Sequence, residues 1–296
     1  MPDGFLDGVG DRRLTRPDGR VVAWTEWGGG GVPLLRIPGT PGCRYNLRAD
    51  RSPWSERDLH VITTERPGFG ASTPLPGRGF HEHSDDLAAI LDEMGIDAVH
   101  VIGGSGSAPH QLAFAARHPD RVRAMSILVG AAPVTEAEAE TMVEINRVEH
   151  RMMVDGDWDG VRRLVDEARE QVLAEPLAGF LHILREAPEA DQVVMSDPRW
   201  QDGLVESVVE ALQQGAQGWY DESVAIFSRW DEIDLSAVRC SVTWYHGEAD
   251  ANCPYSAALR VVEALPDARL VPFRPEEGHL AGYHREPEIL DELLAR

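Results

Sequence analysis

Two stretches of this chain alternate short apolar runs, each closed by a glycine or proline turn, with segments whose apolar residues recur at helical spacing. That alternation commits a chain to strand–helix–strand crossovers and a sheet covered on both faces. In the first stretch, residues 20–27 (RVVAWTEW) are rich in β-branched and aromatic residues and follow the turn Pro17-Asp18-Gly19, fitting the second arm of a hairpin. Residues 32–37 (VPLLRI) and 60–64 (HVITT) run into Pro38-Gly39 and Arg66-Pro67-Gly68, as buried parallel strands do. A helix is expected over 85–94, stopping at Gly95, then a strand over 98–102, a helix over 109–118 and a strand over 125–129. The second stretch supplies a strand at 242–246, a helix near 256–265, a strand near 269–273 and a last helix over 286–294. The expected fold class is α/β: a doubly wound, mostly parallel sheet.

Between these stretches the texture changes. Residues 136–218 hold acidic amphipathic helical segments and no convincing strand, so 133–235 read as a helical insertion into a core formed by 1–132 and 236–296. The net charge of the chain is -22 and no lysine occurs, so arginine supplies every permanent side-chain cation. The insertion alone carries 24 Asp plus Glu against 8 Arg. Such a surface repels polyanions, which speaks against nucleic acid and anionic membranes as partners; the expected substrate is a small, neutral molecule, and a neutral or cationic ester should outperform an anionic one. No apolar run reaches the roughly 20 residues needed to cross a bilayer. The N-terminal MPDGFLDGVGDRR has neither the basic nor the apolar region of a secretory leader, so a cytoplasmic location is expected. Cys43, Cys240 and Cys253 lack disulfide or zinc spacing and read as packing residues, and His81-Glu82-His83 reads as a solvated polar run in a loop. Neither a metal nor an organic cofactor is expected.

The chemistry centres on residues 101–107, VIGGSGS, placed directly after a strand and before a helix. A serine at such a turn adopts a strained backbone, and small residues two positions either side, Gly103 and Ser107, let strand and helix approach. The spacing matches neither GxGxxG nor GxxxxGK[ST], leaving an ordinary glycine-rich turn as the competing reading. A serine hydroxyl needs a nearby base, and that base needs a third group to fix its tautomer. Of the 11 histidines, His279 in Glu277-Gly278-His279-Leu280 is best placed, in a loop at the end of a predicted strand. His60, His100 and His246 fall in strands, and His110 and His118 in the helix after the turn, where they read as packing or surface residues. The loop His246-Gly247-Glu248-Ala249-Asp250 offers the acid: Asp250, with Glu248 competing. Donors for a developing oxyanion are the backbone N–H of Gly106 and one from PGTPG, where Pro38 and Pro41 have none and Thr40 remains.

Five segments together resemble the α/β-hydrolase fold family across nearly the whole chain. PGTPG resembles its oxyanion loop, ERPGFGAS its Asp-Arg-Pro-Gly-x-Gly-x-Ser turn, GGSGS its Gly-x-Ser-x-Gly elbow, HGEADANCP its acid loop and EGHL its histidine loop. The resemblance implies a triad of Ser105, Asp250 and His279 and a variable cap over 133–235. Three positions depart from the family pattern: Pro38 for histidine, Ser107 for glycine and Glu65 for aspartate. The implied activity is a cofactor-free serine esterase acting on a small carboxylic ester, lactone or thioester. The alternatives are an aminopeptidase of the proline iminopeptidase kind and a non-catalytic ligand-binding protein on the same fold.

Overall fold

A computed structural model describes residues 5–296. Eight strands form one sheet in the order β1-β2-β4-β3-β5-β6-β7-β8. These are β1 (Val9–Thr15), β2 (Val21–Trp27), β3 (Val32–Ile37), β4 (Leu59–Thr64), β5 (Val99–Gly104), β6 (Val122–Leu128), β7 (Ser241–His246) and β8 (Ala268–Pro272). β1 and β2 form the antiparallel hairpin expected from the Pro17-Asp18-Gly19 turn, and β2 runs antiparallel to β4. From β4 through β8 every pairing is parallel. The α/β class and the mostly parallel sheet are therefore as expected.

The near-continuous apolar character of the central strands follows from burial on both faces, with the period of two dividing side chains between two cores. Leu35, Val101 and Trp244 join Leu87, Leu112 and Val261 from helices α2 (His81–Glu93), α3 (Ala108–Arg117) and α11 (Tyr255–Ala264). Their strand neighbours Leu34, Ile102 and Tyr245 join Trp54 and Leu290 from α1 (Ser52–Ser55) and α12 (Glu286–Leu294) on the other face. Because β3, β5, β7 and β8 are parallel, the loops leaving them gather along one edge of the sheet. Sites in α/β sheets form at that edge.

Between β6 and β7 the described residues form α4 (Glu136–Ala139), α5 (Glu144–Val154), α6 (Trp158–Ala174), α7 (Pro176–Ile183), α8 (Glu189–Met195), α9 (Pro198–Leu212) and α10 (Gln217–Ser228), with no strand. Val161, Val165, Val172, Val208 and Leu212 build a separate apolar cluster that also takes in Cys43 and Phe69 from the loops after β3 and β4. None of the described helices is long and apolar enough to cross a membrane.

Two local expectations are corrected. His81-Glu82-His83 is the first turn of α2 rather than a loop, and His83 is buried rather than solvated. β6 begins at Val122, ahead of the apolar run at 125–129, because Arg123 turns its side chain outward while Val122 and Ala124 stay inside.

Candidate active site

Ser105 leaves the end of β5 with φ of 57°, in the left-handed region that a non-glycine residue enters only when its surroundings over-determine it. The constraint is visible around it. A Cβ on Gly103 would lie 2.4 Å from the carbonyl oxygen of Ile37 and 2.6 Å from Ser107 Oγ, so only glycine fits there. Ser107, fully buried, accepts a hydrogen bond from Gln111 Nε2 at 3.0 Å. This hydroxyl is what the serine adds where the family pattern has glycine. The Ser105 carbonyl accepts from the Ala131 N–H at 2.9 Å, tying the elbow to the loop after β6.

His279 and Asp250, far apart in sequence, meet at the same edge. Asp250 Oδ2 lies 2.8 Å from His279 Nδ1, while Oδ1 accepts from the N–H groups of Asn252 at 2.8 Å and Cys253 at 2.9 Å. A carboxylate accepts only, so Nδ1 carries the proton and Nε2 is left with its lone pair. Asp250 is buried and Glu248 exposed, which separates the two carboxyls that the sequence left in competition. Burial would raise the Asp250 carboxyl, but His279 outweighs it and the net direction is downward. His279 responds in the opposite sense: burial would lower it, Asp250 raises it, and the net direction is upward. His246 lies behind the pair, accepting from Trp244 Nε1 at 3.0 Å and donating from Nε2 to the Cys253 carbonyl at 2.8 Å.

Ser105 and His279 open onto one cavity of about 270 Å³. Its walls are Ile145, Phe180, Ile183, Trp219 and Ile226 from the helices between β6 and β7, with Thr40 and Gly106 on the floor. The loop after β3 rides directly on the elbow, since a Cβ on Gly106 would come within 2.3 Å of Thr40 Oγ1.

The chain has relatives. The family model for the alpha/beta hydrolase fold matches residues 32–281. The chain belongs to the α/β-hydrolase fold family. It is 28% identical over 262 residues to the non-heme haloperoxidase of Rhodococcus erythropolis, covering 87% of this chain and 89% of that one. It is 22% identical to a bifunctional esterase/perhydrolase of Acinetobacter calcoaceticus, covering 88% and 90% of the two chains. Among solved structures, a thermophilic esterase from Thermogutta terrifontis superposes with a TM-score of 0.68 at 19% identity, over 97% of this chain and 98% of the other. The protein is an enzyme of the hydrolase type.

Sequence reasoning missed two features of this α/β hydrolase. Where the family pattern has a histidine, Pro38 offers no side-chain hydrogen bond, and Arg66 takes over the bracing. Its guanidinium donates to the carbonyls of Pro38 at 2.5 Å and Gly39 at 2.7 Å, and to Thr40 Oγ1 at 3.1 Å. Arg66 is fully buried and pairs with Glu222 on α10 at 3.1 Å; Arg78 reaches the same carboxylate at 2.7 Å and Thr40 donates to it at 3.3 Å. Burial alone would raise Glu222, yet Arg66, His110 and Arg78 hold it well below the usual carboxylate range. Burial pushes His110 down to about 4, so its Nε2–H donates to Glu222 at 2.9 Å and its bare Nδ1 accepts from His83 Nδ1 at 3.1 Å. His110 is thus part of an ionic network rather than a plain packing residue.

The second missed feature is Asp191 on α8. Its buried carboxylate accepts from three consecutive backbone N–H groups of the histidine loop: Gly278 at 3.3 Å, His279 at 2.7 Å and Leu280 at 3.1 Å. Two carboxylates from the helices between β6 and β7 thereby grip the two loops that flank Ser105.

Proposed function

We propose that this protein is a serine hydrolase that cleaves a small ester-like substrate, a carboxylic ester, lactone or thioester, through an acyl-enzyme on Ser105. The observation that carries the reading is the Asp250–His279 hydrogen bond, which leaves a basic Nε2 on a histidine sharing one cavity with a serine held at a left-handed turn. In this reading His279 Nε2 takes the Ser105 proton as Oγ attacks the carbonyl carbon. The N–H groups of Thr40 and Gly106 receive the developing oxyanion. Arg66 saturates a lone pair of Thr40 Oγ1 and Glu222 takes its hydroxyl proton, so the side chain is occupied and the backbone N–H is the group left for substrate. The tetrahedral intermediate collapses, His279 returns the proton to the leaving oxygen or sulfur, and water repeats the sequence to free the acid. Residues 133–235 form the cap and supply the mainly apolar walls of the cavity.

The test is a fluorophosphonate label followed by turnover of a panel of esters, lactones, thioesters and aminoacyl amides. Labelling confined to Ser105, with hydrolysis of at least one ester class, is the expected result. A protein that neither labels nor turns over any panel member is a ligand-binding protein, and one that favours aminoacyl amides is a peptidase.

The pH dependence supplies a further expectation. A base works only unprotonated, so kcat/KM falls as pH drops through the raised pKa of His279. Besides Asp250, Asp191 contributes to that upward direction. Asp191→Asn removes this charge and keeps one oxygen for the Gly278 and Leu280 N–H groups, giving up the bond from the His279 N–H, so the acid limb should move to lower pH. An acid limb unmoved in Asp191→Asn would assign Asp191 to loop packing alone.

A further inference from the structure

The reading above leaves one buried acid without a task. Glu149, on α5, is 5% exposed and lines the same cavity as Ser105 and His279. It is the one carboxyl among the described lining residues, and no arginine joins it there. Its cavity neighbours include Met142, Ile145, Ile183 and Phe227, with Ser223 of α10 supplying a side-chain hydrogen bond. One hydroxyl donor leaves most of the acceptor capacity of a carboxylate unfilled, and an uncompensated buried acid is costly. Burial accordingly pushes its pKa up to about 7.

Helix α10 links the acid to the elbow. Ile226 reaches the elbow, since a Cβ on Gly106 would touch its Cδ1 at 3.0 Å. Ser223, the partner of Glu149, precedes Ile226 by three residues, about 4.5 Å along a helix. The hydroxyl partner of Glu149 thus sits about one helical turn from the side chain that meets the elbow, and both face the same cavity. We infer that Glu149 is a specificity-determining residue that pairs with a protonated amine carried on a short apolar chain of the substrate. A cationic group there gives the buried carboxylate a counter-ion and fills its free acceptor sites. An anionic group would meet like charge, and a plain alkyl chain would leave the acid uncompensated. The net negative charge of the chain draws cations towards the same place.

This inference rests on the acyl-enzyme reading for its substrate, but amine binding can be measured without turnover. Hexylammonium and 1-hexanol are titrated calorimetrically into the wild-type protein and Glu149→Gln. In parallel, kcat/KM is compared for two matched pairs: nitrophenyl aminohexanoate against nitrophenyl heptanoate, and aminohexyl against heptyl acetate. The two pairs place the amine on the acyl or the alcohol side. The wild-type protein should bind hexylammonium more tightly than hexanol and prefer the amine member of one pair. Glu149→Gln should lower that preference about tenfold or more, the size of a hydrogen bond to a charged group. The preference should persist at high salt, because a buried pair is screened less than the exposed acids of the surrounding helices. Equal binding of amine and alcohol by the wild-type protein overturns the inference even if Glu149→Gln fails to fold. So does a preference unchanged in that variant. Unimpaired ester hydrolysis by Ser105→Ala would instead overturn the acyl-enzyme reading and leave the amine site to be judged by calorimetry.

Discussion

Ser105→Ala should abolish ester hydrolysis, with a loss on the order of 10⁴-fold or more in kcat, and leave the unfolding transition close to that of the wild-type protein. The two halves of this expectation have separate causes. Ser105 sits at φ of 57°, and an alanine there carries the same Cβ and so the same backbone strain, neither relieved nor increased. Gly39, whose added Cβ would lie 3.2 Å from Ser105 Cβ and 3.8 Å from its Oγ, shows how closely the site is built around that side chain. Removing one oxygen at the cavity surface leaves those contacts through Cβ intact. What disappears is the atom proposed to form the acyl-enzyme, for which no neighbouring hydroxyl substitutes: Ser107 is fully buried and bonded to Gln111, and the Thr40 hydroxyl is held between Arg66 and Glu222. Steady-state kinetics on an ester found in the panel, together with denaturant unfolding of both proteins, checks both halves. Turnover at the wild-type rate by a folded Ser105→Ala protein would remove the serine from the mechanism.

Much of this architecture is legible in the sequence because burial on both faces writes strands as apolar runs. The expected strand at 32–37 and the expected last helix at 286–294 have the bounds found in the structure. Ser105, His279 and Asp250 are legible for a different reason: each lies in a loop directly after a parallel strand, and parallel strands bring such loops to one edge. The acids between β6 and β7 escape this logic. In so acidic a segment any single carboxylate reads as a solvated charge, and the partners of Glu222, Asp191 and Glu149 lie on other elements. A signal was nonetheless present in helical spacing. Glu222 is three residues from buried Trp219 and from buried Ala225; Asp191 is three and four residues from buried Val194 and Met195; Glu149 is four from buried Met153. A carboxylate on the apolar stripe of a helix marks itself as buried, and a buried carboxylate needs a partner that the sequence does not name.

Asp250→Asn should lower kcat/KM by roughly 10⁴-fold, the size of the equivalent change in a serine protease, while Glu248→Gln changes it little. The geometry explains why an amide so close in shape is so poor a replacement. Asp250 Oδ1 faces two backbone donors, the N–H groups of Asn252 and Cys253 at 2.8 and 2.9 Å. An amide must turn its oxygen towards that pair, because its NH₂ would set donors against donors. The NH₂ is then left facing His279 Nδ1, where Oδ2 now sits at 2.8 Å. An NH₂ can only donate, so Nδ1 must become the acceptor and the ring proton moves to Nε2, the nitrogen that has to take the proton of Ser105. The base is thereby blocked in its resting tautomer. It also loses the carboxylate charge that would stabilise the imidazolium formed during attack, and that charge is the main influence raising His279 against its burial. Glu248, exposed on the same loop, has no such position, and its amide should leave both the tautomer and the charge at His279 as they are. Kinetics of the two variants on one neutral ester decide the matter. A loss at Glu248→Gln larger than that at Asp250→Asn would transfer the orienting role to Glu248 and require the loop after β7 to move during turnover.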